Sequence, residues 1–109
     1  MIKFTCDGKE YELGFNRKTA EAAQRSGLDT DELATKPLVQ VPLLFFWAFQ
    51  MKHPNIKRSK TEEIYNRIGD KTGLIRALTV DYISTYKDLF EDTEEEDGGE
   101  NFIQWSSDN

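Results

Sequence analysis

Histidine and cysteine have the widest chemical repertoire among side chains, and each occurs once in this chain of 109 residues, as His53 and Cys6. Nucleophilic catalysis or a structural zinc site needs several such groups at defined spacing, and neither residue has a second one nearby. We therefore expect His53, at a helix end before Pro54, to interact with the last helix carbonyls. We expect Cys6 to be a small buried hydrophobic residue. The sequence predicts a protein that is not an enzyme and that uses no cofactor or metal.

Three further segments contain groups that bind ligands in other proteins. The acidic run Glu94–Asp97 lacks the fixed oxygen spacing of a calcium loop, so we interpret it as a solvated tail. The pair Gly98-Gly99 lacks the strand and helix that shape a phosphate-binding loop, which is typical of a linker. A small basic cluster lies next to the start of a predicted helix and consists of Lys57, Arg58 and Lys60. We interpret it as part of a solvated loop.

The net charge of -6 is distributed unevenly along the chain. Residues 91–109 contain eight carboxylates and no Lys or Arg, whereas residues 1–90 contain 14 bases and 12 acids. Binding to phosphates requires a concentrated basic face, and none is evident, so we do not expect nucleic acid as a partner. Charge repulsion among the carboxylates leads us to expect a flexible acidic tail over residues 91–109.

The run Val41–Phe49 contains no polar side chain. At nine residues it is much shorter than the ~20 that a membrane-spanning helix needs, so we expect no membrane association. The N-terminal sequence MIKFTCDGKEYEL lacks the basic and then apolar segments of an export signal, which predicts a cytoplasmic protein. The run must therefore be a core helix, a surface covered by another protein, or both.

Residues 2–15 alternate between apolar and polar side chains, which predicts a β-hairpin. A two-residue turn at Asp7-Gly8 pairs Phe4 with Tyr11, and a turn one residue later pairs Phe4 with Leu13. Both registers place the same residues on one apolar face. Because an isolated hairpin is marginally stable, this face is expected to pack on helices.

Two helices are predicted next along the chain. Asn16 is a suitable N-cap for the first, which Gly27 ends in a left-handed conformation. The segment 28–40 is predicted to be a short helical turn and a loop. Pro42 is placed in the first turn of the second helix, and Pro54 prevents continuation beyond it.

Two more helices are predicted after Pro54. Ser59 has the capping-box spacing to Glu62 and would open the third helix, which ends before Gly69. Thr72 would cap the fourth, whose apolar stripe continues to about Phe90.

The predicted fold class is α+β, with an N-terminal β-hairpin packed on a cluster of about four α-helices. One domain over residues 1–90 is followed by the acidic tail 91–109. The second helix is apolar on all sides, and a domain of this size has difficulty burying all of it. We therefore predict that part of this helix binds a partner protein. The candidate partner-binding residues are Leu44, Phe45, Trp47, Phe49 and Met51.

Three segments together resemble the small tail assembly chaperones of tailed phages and of prophages in Gram-positive bacteria. They are FTCDGKEYELGFNRK, PLLFFWAFQMKHP and KTEEIYNRIGD, and the resemblance covers about residues 2–90. That family has a hairpin with a D-G-K-x-Y-type turn leading into a helix, then an apolar helix ending near His-Pro and a further helix pair. The matching positions are Asp7, Gly8, Lys9 and Tyr11 in the turn and Leu44, Phe45, Ala48, His53 and Pro54 in the middle.

The resemblance implies a non-enzymatic function. Members of that family bind the tape measure protein of the phage and help to recruit tail tube subunits, in the cytoplasm of an infected or lysogenic bacterial host. A second copy of the chain, in a homo-oligomer, is a further candidate partner. The alternative function is an acidic inhibitor or DNA mimic that acts on a host nucleic-acid-binding protein, although carboxylates confined to one terminus imitate evenly spaced phosphates poorly. An enzyme of unrecognised type is the remaining alternative.

Overall fold

The computed structural model describes residues 2–90, which form an antiparallel two-stranded hairpin followed by four α-helices. This arrangement confirms the predicted α+β fold class. The predicted acidic tail lies outside the described residues. The elements are β1 (Ile2–Cys6), β2 (Lys9–Leu13), α1 (Arg17–Arg25), α2 (Pro37–Phe49), α3 (Arg58–Arg67) and α4 (Lys71–Ser84), with 3-10 turns at Thr30–Glu32 and Lys87–Leu89.

The hairpin adopts the first of the two predicted registers. Phe4 pairs with Tyr11, and their rings stack with centroids 5.5 Å apart. Asp7 and Gly8 both have positive φ, 52° and 79°, as a two-residue type I′ turn requires. Glycine adopts this conformation without a steric cost, so the turn sequence selects the register.

Both predicted ends of α1 are confirmed. The Asn16 side chain accepts a hydrogen bond from the Thr19 N–H (2.8 Å), and the Thr19 hydroxyl accepts one from the Asn16 N–H (3.0 Å). At the other end Gly27 has φ 110°, and the Leu28 N–H donates to the Ala23 carbonyl (3.0 Å). This is a Schellman motif, and it places Leu28 in the core.

Helix α2 begins earlier than predicted. Pro37 rather than Pro42 occupies its first turn, and Pro42 lies inside the helix. Pro42 cannot donate to the carbonyl of Leu38, but Leu38 is 92% exposed, so water can hydrate that group. Placement of Pro42 in the first turn was therefore wrong, because either proline suits a first turn and packing decides between them.

Buried Gln40 explains why the first turn of α2 is helical. Its side-chain oxygen accepts a hydrogen bond from the Asp29 N–H (2.8 Å), and its amide nitrogen donates to the Gly27 carbonyl (3.2 Å). These bonds satisfy the backbone between α1 and α2, which would otherwise lack partners. The Gln40 side chain can reach these two backbone groups only when residue 40 is part of helix α2.

The caps of the last two helices differ from the predictions. Helix α3 begins at Arg58 without a side-chain cap, so Ser59 lies inside the first turn and does not form the predicted capping box. Helix α4 is capped by Asp70 rather than Thr72; the Asp70 carboxylate accepts from the Gly73 N–H at 3.1 Å. Asp70 has φ 48°, so the chain turns sharply between the two helices.

Helix α4 ends at Ser84 instead of continuing to about Phe90. Its inner face buries Leu78 and Tyr82. It is joined to the end of the hairpin by a hydrogen bond from the Phe15 N–H to the Asp81 carboxylate (2.7 Å). An exposed ion pair between Arg17 and Asp88 (2.8 Å) joins the 3-10 turn that follows to the start of α1.

Helix α2 lies at the centre of the fold and packs against β2, α1, α3 and α4. Gly14, the residue that follows β2, is hydrogen-bonded to this helix, since its N–H donates to the Ala48 carbonyl (3.0 Å). Aromatic rings from the hairpin and the helix meet around Phe49, which contacts Phe4, Tyr11 and Phe45. Of the interpretations of the apolar run, that of a core helix is confirmed.

Candidate functional site

The five residues predicted to bind a partner separate into two groups. Leu44, Phe45 and Phe49 are core residues, at most 1% exposed. Trp47 and Met51 are partly exposed. Trp47 and Met51 therefore present surface to a partner, and the role of all five residues in binding stays a prediction.

The outer face of α2, defined here by Val39, Pro42 and Phe46, is an apolar surface turned away from the core. The three residues recur at intervals of three and four and therefore lie on one side of the helix. Val39 is 59% exposed, and the other two are partly exposed. The adjacent Leu38 is almost fully exposed. The sequence prediction missed Leu38 and Val39 because it started the helix at Val41.

Phe46 is held in place by two neighbours. Its ring meets that of Trp47 edge to face, with centroids 5.7 Å apart. The Arg58 guanidinium lies 5.5 Å from the Phe46 centroid. Cation–π contacts of this kind orient an aromatic side chain while leaving its other face accessible.

A groove of about 230 Å³ runs beside the outer face, between α2 and α3. Pro42 and Phe45 form one wall, and Tyr65 forms the other. The polar side chains at its edge are Thr61, Glu62 and Asn66. An apolar groove between two helices is a shape that accepts an amphipathic helix.

Apolar side chains are also exposed on α4 and beyond it. Val80 and Ile83, three residues apart on α4, are 64% and 38% exposed. Leu89 and Phe90, where the described chain ends, are exposed as well. Leu89 and Phe90 were assigned to a buried stripe of the fourth helix, and that assignment is wrong because the helix stops at Ser84.

A second concave site, the lysine pocket, lies where the turn of the hairpin meets the connection between α2 and α3. It has a volume of about 530 Å³. Four lysines and the single histidine line it, with apolar walls between them. The lining residues are Lys9, Lys52, Lys57, Lys60, His53, Tyr11, Pro54, Asn55 and Ile56.

His53 joins the end of α2 to β2. Its Nε2 atom accepts a hydrogen bond from the Glu12 N–H (3.1 Å), and its ring lies 5.2 Å from that of Tyr11. The sequence predicted contact with helix carbonyls instead, and missed this bond because it joins residues far apart in sequence. Burial lowers the pKa of His53, the positive charge of Lys9 lowers it further, and Glu12 opposes this.

The lowered pKa of His53 makes the free energy of unfolding depend on pH. The unfolded chain binds the proton more tightly than the folded one, so this contribution is present above the unfolded pKa of about 6.5. We expect it to be lost as the pH falls through the folded pKa. Urea unfolding of the wild type between about pH 7.5 and pH 5 should show that decrease. The variant His53→Gln should have a flatter profile, and equal slopes in both proteins would contradict the prediction.

The described residues offer little for other chemistry. Cys6 is partly buried against the core, with a free thiol. Between residues 2 and 90, no three His, Cys, Asp or Glu side chains come together as a metal ion would require. In the same range, none of the helices has the length and apolar character needed to cross a membrane.

Comparison with known protein families identifies a family for this chain. The model of the family described as "Domain of unknown function (DUF5055)" matches residues 1–108, so the chain belongs to that family. The match continues past Phe90 into the acidic segment, which is therefore part of the family's sequence pattern. No curated protein and no solved structure matches the chain.

Proposed function

We propose that this member of the DUF5055 family is a non-enzymatic phage tail assembly chaperone, which binds an apolar helical segment of a tape measure protein and helps to recruit tail tube subunits. The observation that carries the proposal is the set of exposed apolar side chains on the outer face of α2 and next to it. The resemblance of the hairpin, the apolar helix and the helix pair to tail assembly chaperones supports the identity of the partner.

The mode of binding that these residues favour is a helix laid along the outer face of α2. Burying apolar surface contributes about 25 cal/mol per Å² before the costs of association. A partner helix with apolar residues at intervals of three and four would cover Val39 and Phe46 and place one side chain in the groove at Tyr65. Trp47 and Met51, the two exposed members of the predicted set, lie next to this surface along the chain.

Co-expression with the candidate tape measure protein tests the proposal. We expect a complex that persists as the salt concentration is raised, because hydrophobic contacts are not screened by ions. The tape measure protein should also become more soluble. A complex carried by residues 91–109 would weaken with salt, since charges are screened over ~10 Å at 0.1 M. Such a loss would favour the acidic inhibitor or DNA mimic, and absence of any complex would contradict the chaperone function.

A further inference from the structure

The lysine pocket carries a positive charge that the described residues leave partly uncompensated. Among residues 2–90, no carboxylate lines it. The Lys57 ammonium has no ion pair or hydrogen bond within residues 2–90, and Lys9 lies over the Tyr11 ring at 5.3 Å. The closest approaches of carboxylates to the other two lysines are long, 4.0 Å for Lys52 and 3.7 Å for Lys60. Like charges collected in one concavity strengthen its attraction for anions.

Most carboxylates of the folded domain have partners outside the pocket. Five of them are held by bases outside the pocket. These pairs are Arg17–Asp88, Arg25–Glu21, Lys36–Glu32, Arg58–Glu62 and Arg67–Asp7. Glu12, which approaches Lys52, is closer to Lys3 (3.2 Å). Residues 2–90 therefore place no carboxylate in the lining of this pocket, and an anion from another segment can bind there.

The same chain supplies such an anion. Residues 91–109 contain eight carboxylates and no Lys or Arg, and four of the acids are consecutive in Glu94–Asp97. We propose that the lysine pocket binds the acidic run Glu94–Asp97 of its own chain. This contact is separate from the partner helix proposed for α2.

The length of the chain permits this contact. Asp88 is paired with Arg17, and the backbone from Arg17 back to Tyr11 in the pocket spans at most about 20 Å. The segment between Asp88 and Asp97 can extend to about 30 Å. A segment of this length, close to full extension, can therefore bring the end of the acidic run to the pocket. Tyr11, Pro54 and Ile56 give the pocket the apolar walls of a peptide site, whereas a nucleic acid would need an extended basic stripe.

Zero-length carbodiimide cross-linking of the full chain tests the proposal. This reagent joins a lysine to a carboxylate only where the two are in contact. We expect Glu94–Asp97 to be linked to Lys9 or Lys57 at least about fivefold more often than to Lys18, because binding raises the local concentration at the pocket. Lys18 is the matched control, since it is exposed on α1 beside Arg17 and lies outside the pocket. Equal linkage to Lys18 would overturn the proposal.

Isotope mixing separates contact within a chain from contact between chains. In an equal mixture of ¹⁴N- and ¹⁵N-labelled protein, the proposal predicts links within a single isotope. Links that combine both isotopes would overturn it and assign the pocket to a second copy.

His53 provides an independent readout, because it is the only histidine of the chain and lines the pocket. We expect its ring NMR resonance to move when Glu94–Asp97 is neutralised by E94Q, E95Q, E96Q and D97N together. An unchanged resonance would overturn the proposal. A short DNA duplex that moves the same resonance in the wild type, but not in Lys57→Glu, would also overturn it, in favour of a phosphate-binding pocket.

Discussion

Replacing Phe49 with alanine is expected to lower the free energy of unfolding by about 3–5 kcal/mol, because its ring is completely buried. The ring contacts Phe4, Tyr11 and Phe45 and lies 6.1 Å from His53. Its removal would leave a cavity where the hairpin meets α2, and rigid aromatic neighbours cannot collapse to fill it. Urea unfolding monitored by circular dichroism measures the loss.

Phe46→Ala on the same helix is the matched control. Phe46 is partly exposed, so the same substitution should cost about 1 kcal/mol, mainly through lost contact with Trp47 and Arg58. Trp47 is also only partly exposed, so a cost of about 3–5 kcal/mol, expected of a fully buried tryptophan, does not apply to Trp47→Ala. Equal destabilisation by Phe49→Ala and Phe46→Ala would show that the two faces of α2 are assigned incorrectly.

The parts of the fold that the sequence predicts well are those determined by neighbouring residues. The Asp7-Gly8 turn selects a hairpin register because few other residues accept positive φ there. The capping box at Asn16 and the Schellman motif at Gly27 likewise involve groups only a few residues apart. Local chemistry is sufficient to place both ends of α1.

The predicted helix boundaries are wrong where contacts with residues far away in the sequence determine where a helix begins or ends. The first turn of α2 is fixed by Gln40, which bonds to backbone groups of the segment after α1. The sequence alone favours a start of this helix near Pro42, because the apolar run begins at Val41. The end of α4 at Ser84 was also missed. The apolar periodicity continues to Phe90, but within the described fold no surface covers Leu89 and Phe90.

The candidate sites were harder to predict than the fold. A helix that is apolar on every side gives no indication of which face is buried, so Leu44 and Phe49 were grouped with Trp47. The lysine pocket combines Lys9 of the hairpin with Lys57 of the connection before α3. The bond between His53 and the Glu12 N–H holds these segments together, and no local pattern reveals such a contact.

Replacing Phe46 with aspartate is expected to abolish binding of the proposed partner helix. Phe46 is the aromatic residue of the outer face of α2, and aromatic residues that become buried in an interface commonly contribute about 2 kcal/mol or more. That corresponds to a loss of affinity of about 30-fold or more. Arg58, 5.5 Å from the Phe46 ring, can pair with the new carboxylate, so the free energy of unfolding should change by no more than about 1 kcal/mol. Co-purification with the tape measure protein and urea unfolding measure the two effects separately.

Val80→Asp is the control that makes this result specific to α2. Val80 is exposed on α4, so its replacement introduces the same charge on an apolar surface site of a different helix. We expect binding to be retained in this variant, since burial of Phe46 and not total surface hydrophobicity carries the complex. If both variants lose the partner while both remain folded, the interface includes α4 and is broader than the outer face of α2. If Phe46→Asp still binds at full affinity, a partner helix does not cover this face, because a carboxylate cannot be buried there without a large cost.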